Sequence, residues 1–248
     1  MTERAGISME GRPHKALVTG AARPGGIGAA IATRLAADGL DVVTLDVEPG
    51  CTFQVDVVSD DLPPLHDIDV CVANAGLPTI FGAAHSIDLG RWQRDLDVNL
   101  TGSFRIAQAC LLGMRERRFG RLVVMSSIAA GYGMPAQVAY SASKAGLLGM
   151  VKTIAAENAG LGITANAILP GLVSSAGVLA MEPGIIDAWL ERIPTKRMVT
   201  PAEIAEAVAF FASPAAGSVT GQELLIDGGQ SLNSLSVTRS VLRDRPPS

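Results

Sequence analysis

Short unbroken apolar runs recur along the chain: Ala16-Leu17-Val18, Val42-Val43-Thr44-Leu45, Phe53 to Val57, Ile68 to Ala73, Leu122-Val123-Val124-Met125, Thr164 to Leu169 and Gly221 to Ile226. Runs of this length, closed by Gly, Pro, Asn, Asp or Ser, predict strands buried on both faces. Between them the apolar spacing changes to three and four residues. Ile27, Ile31 and Leu35 predict a helix stopped at Asp38-Gly39, and a longer one spans about Leu89 to Met114. Another opens near Tyr140 and continues through Leu147, Val151 and Ile154 to about Asn158. Thr200-Pro201-Ala202-Glu203 reads as an N-cap, a proline at the first helical position and an acid in the first turn, with the helix running to Ala212. One interval breaks the alternation: Asp60-Asp61-Leu62-Pro63-Pro64 leaves little room for a helix. Strands alternating with helices predict an α/β fold, a single doubly wound domain whose parallel sheet of about seven strands has helices on both faces.

Composition adds bounds. A chain of 248 residues that is 48% hydrophobic and 18% charged can bury a large core as one domain. A net charge of −4 argues against nucleic-acid and anionic-membrane partners. Cys51, Cys71 and Cys110 share no metal-ligand spacing and read as small apolar fillers in a reducing compartment. No run of eighteen apolar residues and no signal-like amino terminus is present, so a cytoplasmic protein is expected. Residues 1–13 read as a flexible polar arm, 14–231 as the folded domain and 232–248 as a polar tail.

Candidate chemistry sits where the predicted strands end. The first strand runs into Thr19-Gly20-Ala21-Ala22-Arg23-Pro24-Gly25-Gly26-Ile27-Gly28, and the second ends at Asp46, about twenty residues past the glycines. Strand, glycine turn, helix, strand and acid form the dinucleotide-binding fingerprint in its required context. The glycines admit a pyrophosphate to the helix N-terminus, and a carboxylate at Asp46 accepts ribose hydroxyls and repels a 2′-phosphate. Arg23 within the turn pulls towards NADP or is a solvated loop arginine. With Val47 and Glu48 following the acid, NAD is favoured over NADP.

Two serines, Ser126 and Ser127, close the strand at Met125. Beyond a loop carrying Gly131, Gly133 and Pro135, Tyr140 and Lys144 stand four residues apart on one helix face. An ammonium beside a phenol is expected to lower the phenol pKa, and a serine from the strand end can hold a substrate oxygen while the phenol moves the proton. Asn99 falls mid-helix, where its amide competes for backbone groups, and marks a kink, a functional group or a satisfied packing amide. In parallel sheets ligands lie beyond the carboxyl ends of the strands, so the glycine turn, Asp46, Asn74-Ala75-Gly76, Ser127 and Pro170-Gly171 are expected to converge. Residues 172–199 mix apolar side chains, Leu179 and Trp189 among them, with Gly177, Pro183, Gly184 and Pro194, a composition suited to a lid.

Together the motifs Thr19-Gly20 … Gly26-Ile27-Gly28, Asp56-Val57, Asn74-Ala75-Gly76, Asn99, Ser127, Tyr140 … Lys144, Pro170-Gly171 and Asp227-Gly228-Gly229 resemble those of the short-chain dehydrogenase/reductase family, over roughly residues 14–231. The resemblance implies a Rossmann-type domain with Tyr140 as proton donor and acceptor. Lys144 would hold the nicotinamide ribose and Ser127 would orient the carbonyl or hydroxyl, with Ser126 in support. Asn99 would position a water for proton relay. Asp56 and Val57 are implied as adenine contacts, and Val173 and Ser175 as contacts of the carboxamide. It further implies hydride transfer between nicotinamide and a secondary alcohol or ketone, and a homo-oligomer, tetramer or dimer. Three departures stand out: a glycine turn two residues longer than usual, Ala73 where a second asparagine is usual, and a segment between Asp56 and Ile68 too short for the usual helix.

Apolar residues of the 172–190 stretch, with Ile128, Tyr132 and Met134 before Tyr140, favour an apolar or cyclic substrate. The reading is therefore an NAD-dependent alcohol dehydrogenase or ketone reductase. A 3-oxoacyl-carrier-protein reductase using NADPH is the alternative within the family. A non-catalytic NAD-binding regulatory or scaffold protein is the alternative of another class, and it has no physical need for Asn99, Ser127, Tyr140 and Lys144 together.

Overall fold

The computed structural model describes residues 8–9, 12–77 and 82–232. Seven parallel strands form the central sheet: β1 (Lys15–Thr19), β2 (Asp41–Asp46), β3 (Phe53–Gln54), β4 (Val70–Ala73), β5 (Gly120–Met125), β6 (Ile163–Pro170) and β7 (Glu223–Ile226). Their order is 3-2-1-4-5-6-7, with the reversal between β1 and β4 that opens a crevice at the carboxyl edge. Strands β4, β5 and β6 are buried along their whole length, as continuous apolar runs require. Two cores result. Leu17, Leu45, Ile106, Cys110, Leu122, Leu147 and Val151 pack on one face, and Val18, Ile31, Leu35, Val72, Ile168, Ile204 and Val208 on the other.

The first face is covered by α3 (Ser103–Arg117) and α5 (Val138–Asn158), the latter preceded by the short α4 (Ala129–Tyr132), and the second by α1 (Ile27–Ala37) and α8 (Pro201–Ala212). Thr200 caps α8 in a full capping box with Glu203, which the sequence pattern had predicted. Of the amino-terminal arm, Ser8–Met9 and Arg12–Pro13 are described and pair antiparallel; the rest of the arm, and the tail beyond residue 232, lie outside the described residues.

Three expectations are corrected. The strand expected over Phe53 to Val57 is only Phe53–Gln54, because it is the sheet edge and pairs with β2 alone. The helix expected from Tyr140 begins two residues earlier, at Val138. The continuous helix expected over Leu89 to Met114 is interrupted: α2 (Leu89–Leu96) passes into a π-helical turn, Asp97–Gly102, before α3. Asn99 lies inside that turn, so its unsuitability for an α-helix interior is expressed as one wide turn.

The short stretch between β3 and β4 carries no helix. It lies directly against α3, where a Cβ on Gly113 would run into the His66 carbonyl. Two arginines of α3 hold it. Arg105 Nη1 donates to the Val57 and Val58 carbonyls at 2.6 and 2.5 Å, and its Nη2 to Asp60 O at 2.8 Å. Arg117 reaches the His66 and Ile68 carbonyls and the Asp69 carboxylate.

Candidate active site

At the end of β1, Thr19 Oγ1 accepts hydrogen bonds from the amides of Asn74 and Ala75 at 3.0 and 2.9 Å. The Asn74 side-chain amide donates to the carbonyls of Thr19 and Gly20. The two strand ends are thereby locked together beneath the glycine turn. Gly20 has φ +69°, and a Cβ there would stand 2.8 Å from Ala75 Cα; one on Gly28 would run into Gly20 O. Gly26 precedes α1 with no side-chain cap, so the first amides of that helix face outward without a protein partner supplied by the cap. That is the cradle a pyrophosphate needs. Arg23, Pro24 and Gly25, which lengthen the turn, are exposed.

Asp46, at the end of β2, is held by two backbone amides: Ala22 N to Oδ2 at 2.9 Å and Glu48 N to Oδ1 at 3.1 Å. Its carboxylate is fixed beside the glycine turn, and the residues present fit the adenosine half of a dinucleotide. Asp56 accepts from Val58 N at 2.8 Å, and buried Val57 packs on Gly102 of the π-turn.

The π-turn carries Asn99 into the crevice, fully buried. Its Oδ1 accepts from Leu77 N at 3.0 Å, and its Nδ2 donates to Ser143 Oγ at 3.2 Å. Ser143 in turn donates to the Tyr140 carbonyl at 2.8 Å. Ser143 is a residue the sequence reading passed over; its place beside Lys144 was the available signal. Lys144 is 5% exposed, and its Nζ donates to Met125 O at 2.8 Å. The same ammonium lies 5.7 Å from the Tyr140 ring centroid and beside Gly76, where a Cβ would sit 3.5 Å from it. Ser126 supports, as expected: its hydroxyl donates to Lys144 O at 2.9 Å. The Ser127 hydroxyl accepts from the Ala129 amide at 3.2 Å and lies near enough to the Tyr140 phenol to act on its pKa. Asn99, Ser127, Tyr140 and Lys144 therefore meet at one place.

The expected pKa of the phenol is reversed. Burial raises it, against a smaller lowering by the Ser127 hydrogen bond, and the Asp95 carboxylate raises it further. Burial also pulls Lys144 down to about 8, with Asp95 acting in the opposite sense. For each group desolvation is the largest influence, and it outweighs the lowering of the phenol that a neighbouring cation was expected to give.

On the far side, Gly171 N donates to Ile226 O and Leu172 N to Gln230 Oε1, which ties Pro170-Gly171 to the Asp227-Gly228-Gly229 turn. Val173 is buried and bridges Val199, while Ser175 precedes the short helix α6 (Ala176–Leu179). Helices α6 and α7 (Pro183–Leu190) bury none of their residues. Of the residues expected to meet substrate, Ile128 is buried, Met134 and Trp189 are half-buried, and Tyr132 and Leu179 are 61% and 57% exposed.

Residues 54–231 match a family model described as Enoyl-(Acyl carrier protein) reductase. The chain belongs to the short-chain dehydrogenase/reductase family. Among its relatives, this dehydrogenase/reductase is 35% identical to the 3-oxoacyl-acyl-carrier-protein reductase MabA of Mycobacterium tuberculosis, over 87% of its own length and 92% of that protein. It is 38% identical to the acetoacetyl-CoA reductase of Shinella zoogloeoides, over 87% and 97% of the two chains. The solved structure of a putative gluconate dehydrogenase from Agrobacterium tumefaciens superposes with a TM-score of 0.80 at 27% identity, covering 88% of this chain and 96% of that one. The family assignment makes the protein an oxidoreductase of the nicotinamide-dependent kind. Among the described residues, no helix is long and apolar enough to cross a membrane.

Proposed function

We propose that this protein transfers a hydride between NAD and a secondary alcohol or ketone of apolar or cyclic character, with Tyr140 as general acid and base. The observation that carries the reading is the buried Lys144 ammonium 5.7 Å from the Tyr140 ring centroid, with Ser127 close to the same phenol. NAD is favoured over NADP by the two amides that hold the Asp46 carboxylate at the end of β2, where a 2′-phosphate would be repelled.

When bound, the nicotinamide supplies or receives the hydride. In reduction the Ser127 hydroxyl and the Tyr140 phenol both donate to the carbonyl oxygen, and the phenol proton passes to it as the alkoxide forms. Burial keeps the phenol protonated through neutral pH, the form that this direction needs. Lys144 stabilises the phenolate left behind. Asn99, through Ser143, fixes the first turn of α5 on which Tyr140 rides. Residues 172–199 close over the substrate, because α6 and α7 are scarcely packed and present Leu179, Ile185 and Trp189. The working protein is a homo-oligomer.

A second reading, reduction of a 3-oxoacyl thioester, is favoured by the named activities of the 3-oxoacyl-acyl-carrier-protein and acetoacetyl-CoA reductases. One assay separates the two: nicotinamide absorbance followed with NADH and NADPH against cyclic and aryl ketones and acetoacetyl-CoA. Turnover of cyclic ketones with NADH supports the first reading; acetoacetyl-CoA turned over far faster with NADPH overturns it in favour of the second. In either case Tyr140→Phe lowers kcat by about 10²–10⁴-fold, the usual contribution of a general acid, with NADH binding close to wild type. A loss below about tenfold removes Tyr140 from the proton-transfer role.

A further inference from the structure

Helix α2 turns a single residue into the protein body, and that residue is an acid: Asp95, 5% exposed. It stands four residues before Asn99, so on the helical spacing it continues the side from which Asn99 reaches Ser143 of α5. Helix α2 packs along α5, and the charged or ionisable groups that bear on Asp95 are Arg91 on its own helix and Lys144 and Tyr140 on α5. Asp97, two residues on, is taken by Gln93 on the exposed side. Among the described residues, the Asp95 carboxylate makes no hydrogen bond and no ion pair within 4 Å. Its oxygens keep a path to water, yet the side chain is almost wholly enclosed at the helix interface, where packing alone favours an apolar residue. Lys144 lacks a direct counter-ion: its buried ammonium is bonded to a backbone carbonyl, and among the described residues no carboxylate lies within 4 Å of it.

We propose that Asp95 is a positioning residue for the reaction, the counter-charge across the α2–α5 interface that keeps Lys144 in its ammonium form and holds Tyr140 protonated. The two effects have one origin and predictable signs. A negative charge favours the ammonium over the neutral amine, and the neutral phenol over the phenolate. Burial of Lys144 works against its charge, and Asp95 offsets part of that loss. Asp95 is itself drawn towards its neutral acid by burial, with Arg91 and Lys144 opposing. The relevance of this to turnover rests on the hydride-transfer reading above; the electrostatic coupling does not.

The chain contains only two tyrosines, and Tyr132 is mostly exposed. In a Tyr132→Phe background the near-ultraviolet absorbance of phenolate therefore reports Tyr140 alone, with neither substrate nor cofactor needed. Asp95→Asn, which keeps the shape and removes the charge, is expected to lower the Tyr140 midpoint, because loss of a nearby negative charge eases formation of the phenolate. Asp95→Glu, which restores the charge, returns it towards the parent value. If Asp95→Asn does not fold, Asp95→Ser carries the same comparison. A midpoint that stays at the parent value in the neutral variants, or that moves equally in Asp95→Glu, overturns the counter-charge role. Because no turnover is read, either result is independent of whether the proposed reaction stands.

Discussion

Arg105 tests whether the short segment between β3 and β4 depends on α3 for its shape. The perturbation is Arg105→Met, which keeps most of the aliphatic volume and removes every donor. Three hydrogen bonds from a guanidinium to the carbonyls of Val57, Val58 and Asp60 are lost. Hydrogen bonds to a charged group contribute about 1.5–3 kcal/mol each, and the lower end applies where water can replace the donor. The Asp60 contact is exposed and the other two are half-buried. Counting the two half-buried bonds at the lower end and the exposed one at well under about 1.5 kcal/mol gives a total of about 3–4 kcal/mol. At roughly 2–4 °C per kcal/mol for a chain of this size, the melting temperature falls by about 5–15 °C. Because the released stretch includes Val57 and follows Asp56, NADH affinity falls with stability. Arg105→Lys retains the charge but cannot span three carbonyls, so it recovers less than half of the loss. Thermal unfolding by circular dichroism and a fluorescence titration with NADH read both quantities. A melting temperature within about 2 °C of wild type, with unchanged NADH affinity, refutes the clamp.

Lys144→Met removes an ammonium whose folded pKa is depressed to about 8, below its free value. The unfolded chain binds the extra proton between those two values, so the destabilisation is full below about pH 8 and fades as pH rises towards the free-lysine pKa. The variant is therefore expected to be inactive yet to melt higher than wild type at pH 7, with the gap narrowing at alkaline pH; an equal or lower melting temperature at pH 7 contradicts the sign. Asp46→Ala combined with Val47→Arg, the latter at an exposed position, is expected to move the kcat/KM ratio for NADPH over NADH upward by tenfold or more, equivalent to about 1.4 kcal/mol. An unchanged ratio would assign cofactor choice to Arg23 instead of Asp46.

Much of the fold was legible because its signals are local. Apolar runs ending in Gly, Asn, Ser or Pro became the buried strands, and Thr200 with Glu203 became a capping box. Asn99 announced an irregularity, but the choice between a bend and a wide π-turn depends on Leu77 and Ser143, which are distant in sequence. The two-residue β3 could not be read from composition, since being at the sheet edge is a property of topology. Absence of a helix before β4 followed from two prolines, whereas nothing local marks Arg105 and Arg117 of α3 as the side chains that hold that stretch. The direction of the Tyr140 shift was missed for a similar reason: the sequence displays a neighbouring cation but not the desolvation that outweighs it. Asp95 was hidden by its type, because an acid between Arg94 and Leu96 on a polar helix reads as solvent-facing.

The π-turn also sets a phase. A turn that closes on i+5 holds one more residue than an α-turn, so every side chain after it stands about 100° around the axis from where an unbroken helix would carry it. Upstream, Asp95 looks at α5; downstream, Ile106, Ala107, Cys110 and Met114 look at the sheet. The wide turn is thus a gear between two apposed surfaces, and Asn99 is its tooth. Shortening the chain by one residue there would leave the composition of the site intact and turn one of the two surfaces away from its partner.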